Sequence, residues 1–363
     1  MTTSTAPARA DRRARGGPSW VWRCGWLLAA AIPLAFLAIF FAWPVATLVG
    51  RGFASEDGST LGAVAEVLTS ARTWRILRTT LTLAVLGTVV SVALGVPGAY
   101  LLYAVRFPGR GLLRALVTVP FVLPSVVVGV AFLSLLGTNG PLGFLGWEES
   151  LPAIVAALVF FNYSVVVRTV GGLWSRLDPR AVEAARALEA SPSRAFRTVT
   201  LPALLPAIAS ATTLVFLFCA SAFGIVMVLG GVRYSTIETE IWYQTTQLLD
   251  LPAAAALSIT QLVVVTLALL ATSWTSARQE RALRLRGDAS GEHTWSWRRD
   301  WAATLVTGAT VLGVLALPMA TMLLRSLRDR EGWTLDHYRA LGTTVGRSLP
   351  VPVWTAIRNS LVV

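Results

Sequence analysis

Seven stretches of this chain are almost purely apolar and long enough to cross a bilayer core, which takes about 20 helical residues. They are Trp26–Val49, Leu77–Val105, Ala115–Leu136, Leu151–Val167, Ala203–Leu229, Pro252–Trp274 and Trp301–Leu324. None carries an acidic residue, and the one base inside them, Arg78, sits at an end where its guanidinium can reach the headgroups. In lipid every backbone N–H and C=O must find a partner within the chain, which leaves helices or a closed barrel. The runs lack the alternating polar face a barrel strand needs. The expected fold is therefore an all-α polytopic integral membrane protein with about seven transmembrane helices, plus the start of an eighth at Leu361-Val362-Val363. The first run exceeds a signal-peptide core of about 7–15 residues and no small-residue cleavage site follows it, so an uncleaved first helix is expected.

Thirty-one bases against 19 acids leave a net charge of +12, and all the bases are arginine. They flank the apolar runs and do not gather on one face, which argues for membrane topology over nucleic-acid binding. Arg9, Arg12, Arg13, Arg15 and Arg23 mark the N-terminal tail, residues 1–25, as cytoplasmic. The same side collects Arg106, Arg110 and Arg114, then Arg176, Arg180, Arg186, Arg194 and Arg197, then the group from Arg278 to Arg299. The loops assigned outside are poorer in bases, except 325–350, which holds five arginines against the trend.

Two segments recur in order at nearly one offset. Trp43-Pro44-Val45-Ala46-Thr47 and the later Arg51 reappear as Leu317-Pro318-Met319-Ala320-Thr321 and Arg325. Trp74-Arg75-Ile76-Leu77-Arg78 likewise resembles Trp354-Thr355-Ala356-Ile357-Arg358. A duplicated unit is the expectation. Residues 26–285 would form the first unit and 286–363 a linker with the opening of a second, about 200 residues of which would lie beyond Val363.

Between the fourth and fifth runs lies a charged, helix-forming island, residues 178–202. Asp178-Pro179 is an N-cap followed by proline at the first helical position, and Ser191-Pro192 repeats that signal. A helix–turn–helix elbow is expected beneath the bilayer. Its sequence, Glu183-Ala184-Ala185 through Val199-Thr200-Leu201-Pro202, resembles the EAA motif of ABC importer permeases, with Glu189 where that motif has glycine. Further resemblance covers most of residues 40–280: Phe160-Phe161-Asn162, the Pro120–Pro124 region, and Gly230-Gly231 with the segment Tyr234–Tyr243. With the duplication, it points to the fused two-unit iron(III) or thiamine type. The resemblance implies a path for a small solute and a place in a bacterial inner membrane. It also implies two cytosolic ATP-binding subunits and an external solute-binding protein as partners. Ala184, Ala185 and Leu188 would pack into the ATPase, Glu183 and Arg186 would line the rim, and Leu201-Pro202 would close the motif. A left-handed turn suited to glycine would place Glu189 under strain of about 1 kcal/mol.

Other candidates are weaker. Asn162, Ser164 and Ser221 could line the path, although a buried polar residue in a span more often joins helices. Glu238 and Glu240, beside Trp242-Tyr243, could meet the binding protein, although solvated loop acids are the simpler reading. The chain has two cysteines and two histidines, none clustered, so no metal site and no cofactor are expected. Without lysine there is no GxxxxGK[ST] phosphate loop, so the chain is not itself the ATPase. No carboxylate lies in the runs, which argues against a proton-coupled carrier. A secondary carrier or channel remains the alternative, and a membrane scaffold the third reading.

Overall fold

The computed structural model describes residues 20–52, 69–231, 233–279, 292–329, 332–342 and 352–362; the N-terminal tail and most of the linker fall outside them. In chain order, the first helices are α1 (Trp20–Leu37), α2 (Trp43–Gly52), α3 (Ala71–Tyr103), α4 (Arg110–Val122), α5 (Ser125–Leu136) and α6 (Leu151–Trp174). The island supplies α7 (Pro179–Ala187) and α8 (Pro192–Ala195). Then come α9 (Leu201–Ala220), α10 (Gly224–Leu229), α11 (Ile237–Tyr243), α12 (Leu251–Gln279), α13 (Trp297–Ala309) and α14 (Leu317–Ser326). Short helices at Asp336–Arg339 and Val353–Val362 follow.

Among the described residues five helices are long and apolar enough to cross a membrane, or six if one bent pair is taken as a single span. Four of the seven expected runs hold as single rods, of which Leu77–Val105 stops at Tyr103; the first, Trp26–Val49, is helical within 20–52 but counts only as a shorter apolar helix, Leu28–Ala42. The remaining two do not hold as one span. Ala115–Leu136 was expected as one span, yet α4 and α5 meet at an angle of 105°. The break is Leu123-Pro124: the proline ring disfavours the helical conformation at the residue before it, and Leu123 is extended at ψ 139°. Ala203–Leu229 was also expected as one span, but α9 stops at Ala220 and α10 turns away to pack on α5. Gly224 permits that approach, since a Cβ there would sit 2.5 Å from Ser125 Oγ.

The helix at the centre is α6, with 72% of its apolar window buried against 33–39% for the other long spans. It runs alongside α3. Gly87 faces Leu158, Gly95 faces Val166 and Gly98 faces the Tyr163 hydroxyl, and side chains at these glycines would prevent the two helices from closing. Phe132 meets Phe160 edge to face at 5.7 Å, and Phe161 meets Phe218 at 6.2 Å, fixing α5 and α9 to the same core.

One local device recurs three times. The backbone N–H of Trp43 bonds to Ala38, that of Leu201 to Phe196, and that of Leu317 to Leu312, each five residues back. Each of these residues precedes a proline. Proline has no N–H and its ring crowds the carbonyl four residues earlier; the widened π turn accommodates both faults without ending the helix. The two recurring segments, Trp43–Thr47 and Leu317–Thr321, therefore share local structure as well as sequence.

Candidate functional site

The island folds as a capped elbow. Asp178 Oδ1 accepts from the Arg180 N–H at 3.0 Å and opens α7; Ser191 Oγ accepts from the Arg194 N–H at 3.3 Å and opens α8. Between them the chain turns through Glu189, whose φ is +61°. The Ala190 N–H bonds to the Ala185 carbonyl at 3.1 Å and the Glu189 N–H to the Arg186 carbonyl at 3.0 Å, the paired bonds of a Schellman closure. The turn keeps the left-handed form that glycine suits best, with glutamate carrying it. Glu189→Gly is expected to stabilise the elbow by about 1 kcal/mol. Thermal melting checks it, and a variant no more stable than the parent would show that Glu189 carries no strain.

The second helix of the elbow does not stop before the next span. From Pro192 through the π turn to Ala220 the chain is one helical rod of 29 residues. Pro202 and Pro206 lie inside it without interrupting it. The elbow is thus rigidly joined to a span. It is anchored by Ala195, which is buried, and by Phe196, stacked on Trp174 at the end of α6 at 6.2 Å. Outward it presents Glu183, Ala184, Arg186, Leu188 and Glu189, with Ala185 half-buried. Leu188 is 84% exposed at the tip, an apolar side chain ringed by charges. Leu201 is half-buried and Pro202 exposed.

The other candidates fall in different places. Asn162 is buried and donates from Nδ2 to the Leu158 carbonyl at 2.9 Å and to Cys219 Sγ at 3.4 Å, which joins α6 to α9. Ser164 is buried, whereas Ser221 is exposed and donates to the Leu217 carbonyl. No shared polar surface links the three through these contacts.

At the opposite end, α11 is latched to the bundle. Its first N–H, that of Ile237, donates to Thr80 Oγ1 at 3.0 Å. Glu240, expected as a solvated loop acid, is instead only 3% exposed: it pairs with Arg72 at 3.0 Å and accepts from Gln244 Nε2 at 2.8 Å. Glu238 is half-buried and accepts from Gln261 Nε2 at 3.3 Å. Burial raises its carboxyl above the usual range, with the Gln261 hydrogen bond pulling the other way. Sequence reading missed this latch because Arg72 and Glu240 are 168 residues apart. A cavity of about 390 Å³ opens beside it, walled by Arg72, Glu240, Gln244 and Asp250. Arg72→Ala leaves Glu240 buried without its cation and is expected to cost about 1–3 kcal/mol. Thermal unfolding in detergent measures this, with Arg72→Ala/Glu240→Gln expected to recover part of the loss.

A family model described as the binding-protein-dependent transport system inner membrane component matches residues 87–283. The sulfate transport system permease protein CysT of Salmonella typhimurium is 30% identical, over 64% of this chain and 86% of that protein. The thiamine transport system permease protein ThiP of Brucella abortus is 29% identical over 300 residues, 79% of this chain. This chain spans 52% of that relative's length. The molybdenum transport system permease protein ModB of Azotobacter vinelandii is 35% identical over 43% of the chain and 72% of that protein. Among solved structures, a bacterial ABC transporter involved in the import of the acidic polysaccharide alginate superimposes with a TM-score of 0.62 at 18% identity. The match covers 72% of this chain and all of that one, a likeness of fold.

Proposed function

Because this chain belongs to the family of inner-membrane components of binding-protein-dependent transport systems, an ABC importer permease, we propose that it forms the membrane path of an ATP-driven importer for a small solute. A separate cytosolic ATPase would dock on the island, and an external binding protein would deliver the solute to the opposite end. The observation that carries this reading is the elbow itself. An exposed, N-capped helix, α7, with an apolar tip is closed by a tight turn onto α8, which is one rod with the rest of 192–220, so a push on the tip is passed to a span. Small side chains at Ala184 and Ala185 let a partner's backbone approach closely. The arginine distribution supports a cytoplasmic N-terminus, which puts the island on the ATPase side.

The recurrence of the first helix as α13–α14 supports a two-unit permease of the thiamine type, as does the length of the thiamine relative. That makes thiamine the first solute to try. Sulfate and molybdate follow from the other relatives, and iron(III) has no support in them. The test is uptake by membrane vesicles containing the full complex. ATP-dependent accumulation that survives a protonophore is expected. Uptake that ignores ATP and collapses with the proton gradient would favour the secondary-carrier reading.

A further inference from the structure

The island end of the bundle carries a second polar assembly that the transport reading does not use. The segment entering α13 runs beside the end of α3 as a short parallel pair, β1 (Val105–Arg106) with β2 (His293–Thr294). The His293 N–H donates to the Ala104 carbonyl and the Trp295 N–H to that of Arg106, each at 3.0 Å. Glu292 sits between Arg106 at 3.3 Å and Arg110 at 3.1 Å. One turn into α13, the Asp300 side chain is wholly shielded from solvent. It accepts from the Tyr100 hydroxyl at 2.6 Å and the Ser296 N–H at 2.9 Å, with Arg299 Nε and His293 Nε2 each 3.4 Å away.

A buried carboxylate with this many donors is costly to disturb, because any partner it loses is not replaced by water. Its strongest donor, Tyr100, is also an aromatic wall. The Tyr100 ring lies 5.3 Å from that of Trp174, and Trp174 stacks on Phe196 at an interplanar angle of 25°. Phe196 is the first residue of the π turn behind the elbow. Asp300, on the helix that resembles the start of a second unit, thus connects through three rings to the island of the first.

We propose that Asp300 is a positioning residue that sets the pose of the 178–200 elbow by fixing Tyr100 against Trp174 and Phe196. Holding the hydroxyl fixes the ring, the ring bounds Trp174, and Trp174 bounds Phe196, the aromatic side chain that ties the elbow to the end of α6. A change in how α13 seats would then be felt at the ATPase-facing surface. That consequence for transport rests on the importer reading; the positioning itself does not.

Hydrogen–deuterium exchange on the full chain in lipid nanodiscs tests it. Asp300→Asn and Tyr100→Phe are each expected to speed exchange of the amides of 181–200 by about three-fold or more, with the spans 151–174 and 201–220 unchanged. Tyr100→Phe keeps the ring and removes only the O–H, so the double variant should be no faster than either single one. Tyr163→Phe, which removes a buried hydroxyl on α6 that faces Gly98 and is no member of this relay, serves as the control for general loosening. Unchanged exchange in the elbow, additive effects, or an equal response to Tyr163→Phe would each overturn the proposal. Neither ATPase nor solute enters the experiment, so its failure and that of the importer reading are read separately.

Discussion

Ala184→Trp is expected to weaken ATPase association by about 30-fold or more, the scale of an interface hot spot, and to abolish ATP-driven uptake with it. Ala184 is exposed on α7, so an indole there is expected to leave the fold intact. What it removes is closeness: a partner surface shaped for a methyl group must retreat by the thickness of a ring, and every contact around it is lost. Ala185, half-buried, gives a less clean version of the same test, because part of its cost would fall on the elbow itself. Quantitative co-purification of the complex, with circular dichroism to show the helices retained, measures the effect. Binding within about two-fold of the parent would remove α7 from the interface, since two-fold is well below the hot-spot range.

Gly95→Leu is expected to destabilise the bundle by about 3 kcal/mol or more, beyond the usual cost of an overpacked site. A Cβ at Gly95 would stand 2.6 Å from both Cβ and Cγ1 of Val166, a β-branched side chain with little room to rotate away. Relief requires α3 and α6 to separate, and these two helices form the centre of the molecule. The separation would also expose Leu83 and Ala84 on α3 and Leu158 and Tyr163 on α6, all buried now. The expected result is a strong fall in melting temperature and in recoverable folded protein. Gly95→Ala should show a smaller shift of the same sign. A leucine variant as stable as the parent would mean that this close approach does not hold the core.

The spans were legible because their signal is redundant: twenty apolar residues in a row survive several local errors. Their interruptions were not: one turns on the environment of Pro124, and the other falls at Ser221–Phe223, where only the close approach permitted by Gly224 explains the turn. Pro124 breaks a helix, whereas Pro202 and Pro318 sit within continuous ones. A π turn lies ahead of the latter two, and one sequence does not display whether a widened turn can be packed. The elbow could be read in advance because capping is local: Asp178, Ser191 and the strained position at Glu189 act within four residues of themselves. The Arg72–Glu240 latch and the Tyr100–Asp300 bond could not, since their partners are 168 and 200 residues apart. An acid flanking an apolar run reads as solvated until the helix that covers it is known. Asp300 lies one residue outside the seventh run as first bounded, where a carboxylate draws no notice.

The central claim is that an ATPase sits on the tip of the elbow. A photo-crosslinking amino acid at Leu188, whose side chain is 84% exposed, tests it most directly in native membranes. The account expects one dominant product, joining this chain to a protein that carries a GxxxxGK[ST] phosphate loop and lost when Ala184 is replaced by tryptophan. Products confined to lipid or to this same chain, unaffected by that replacement, would contradict it.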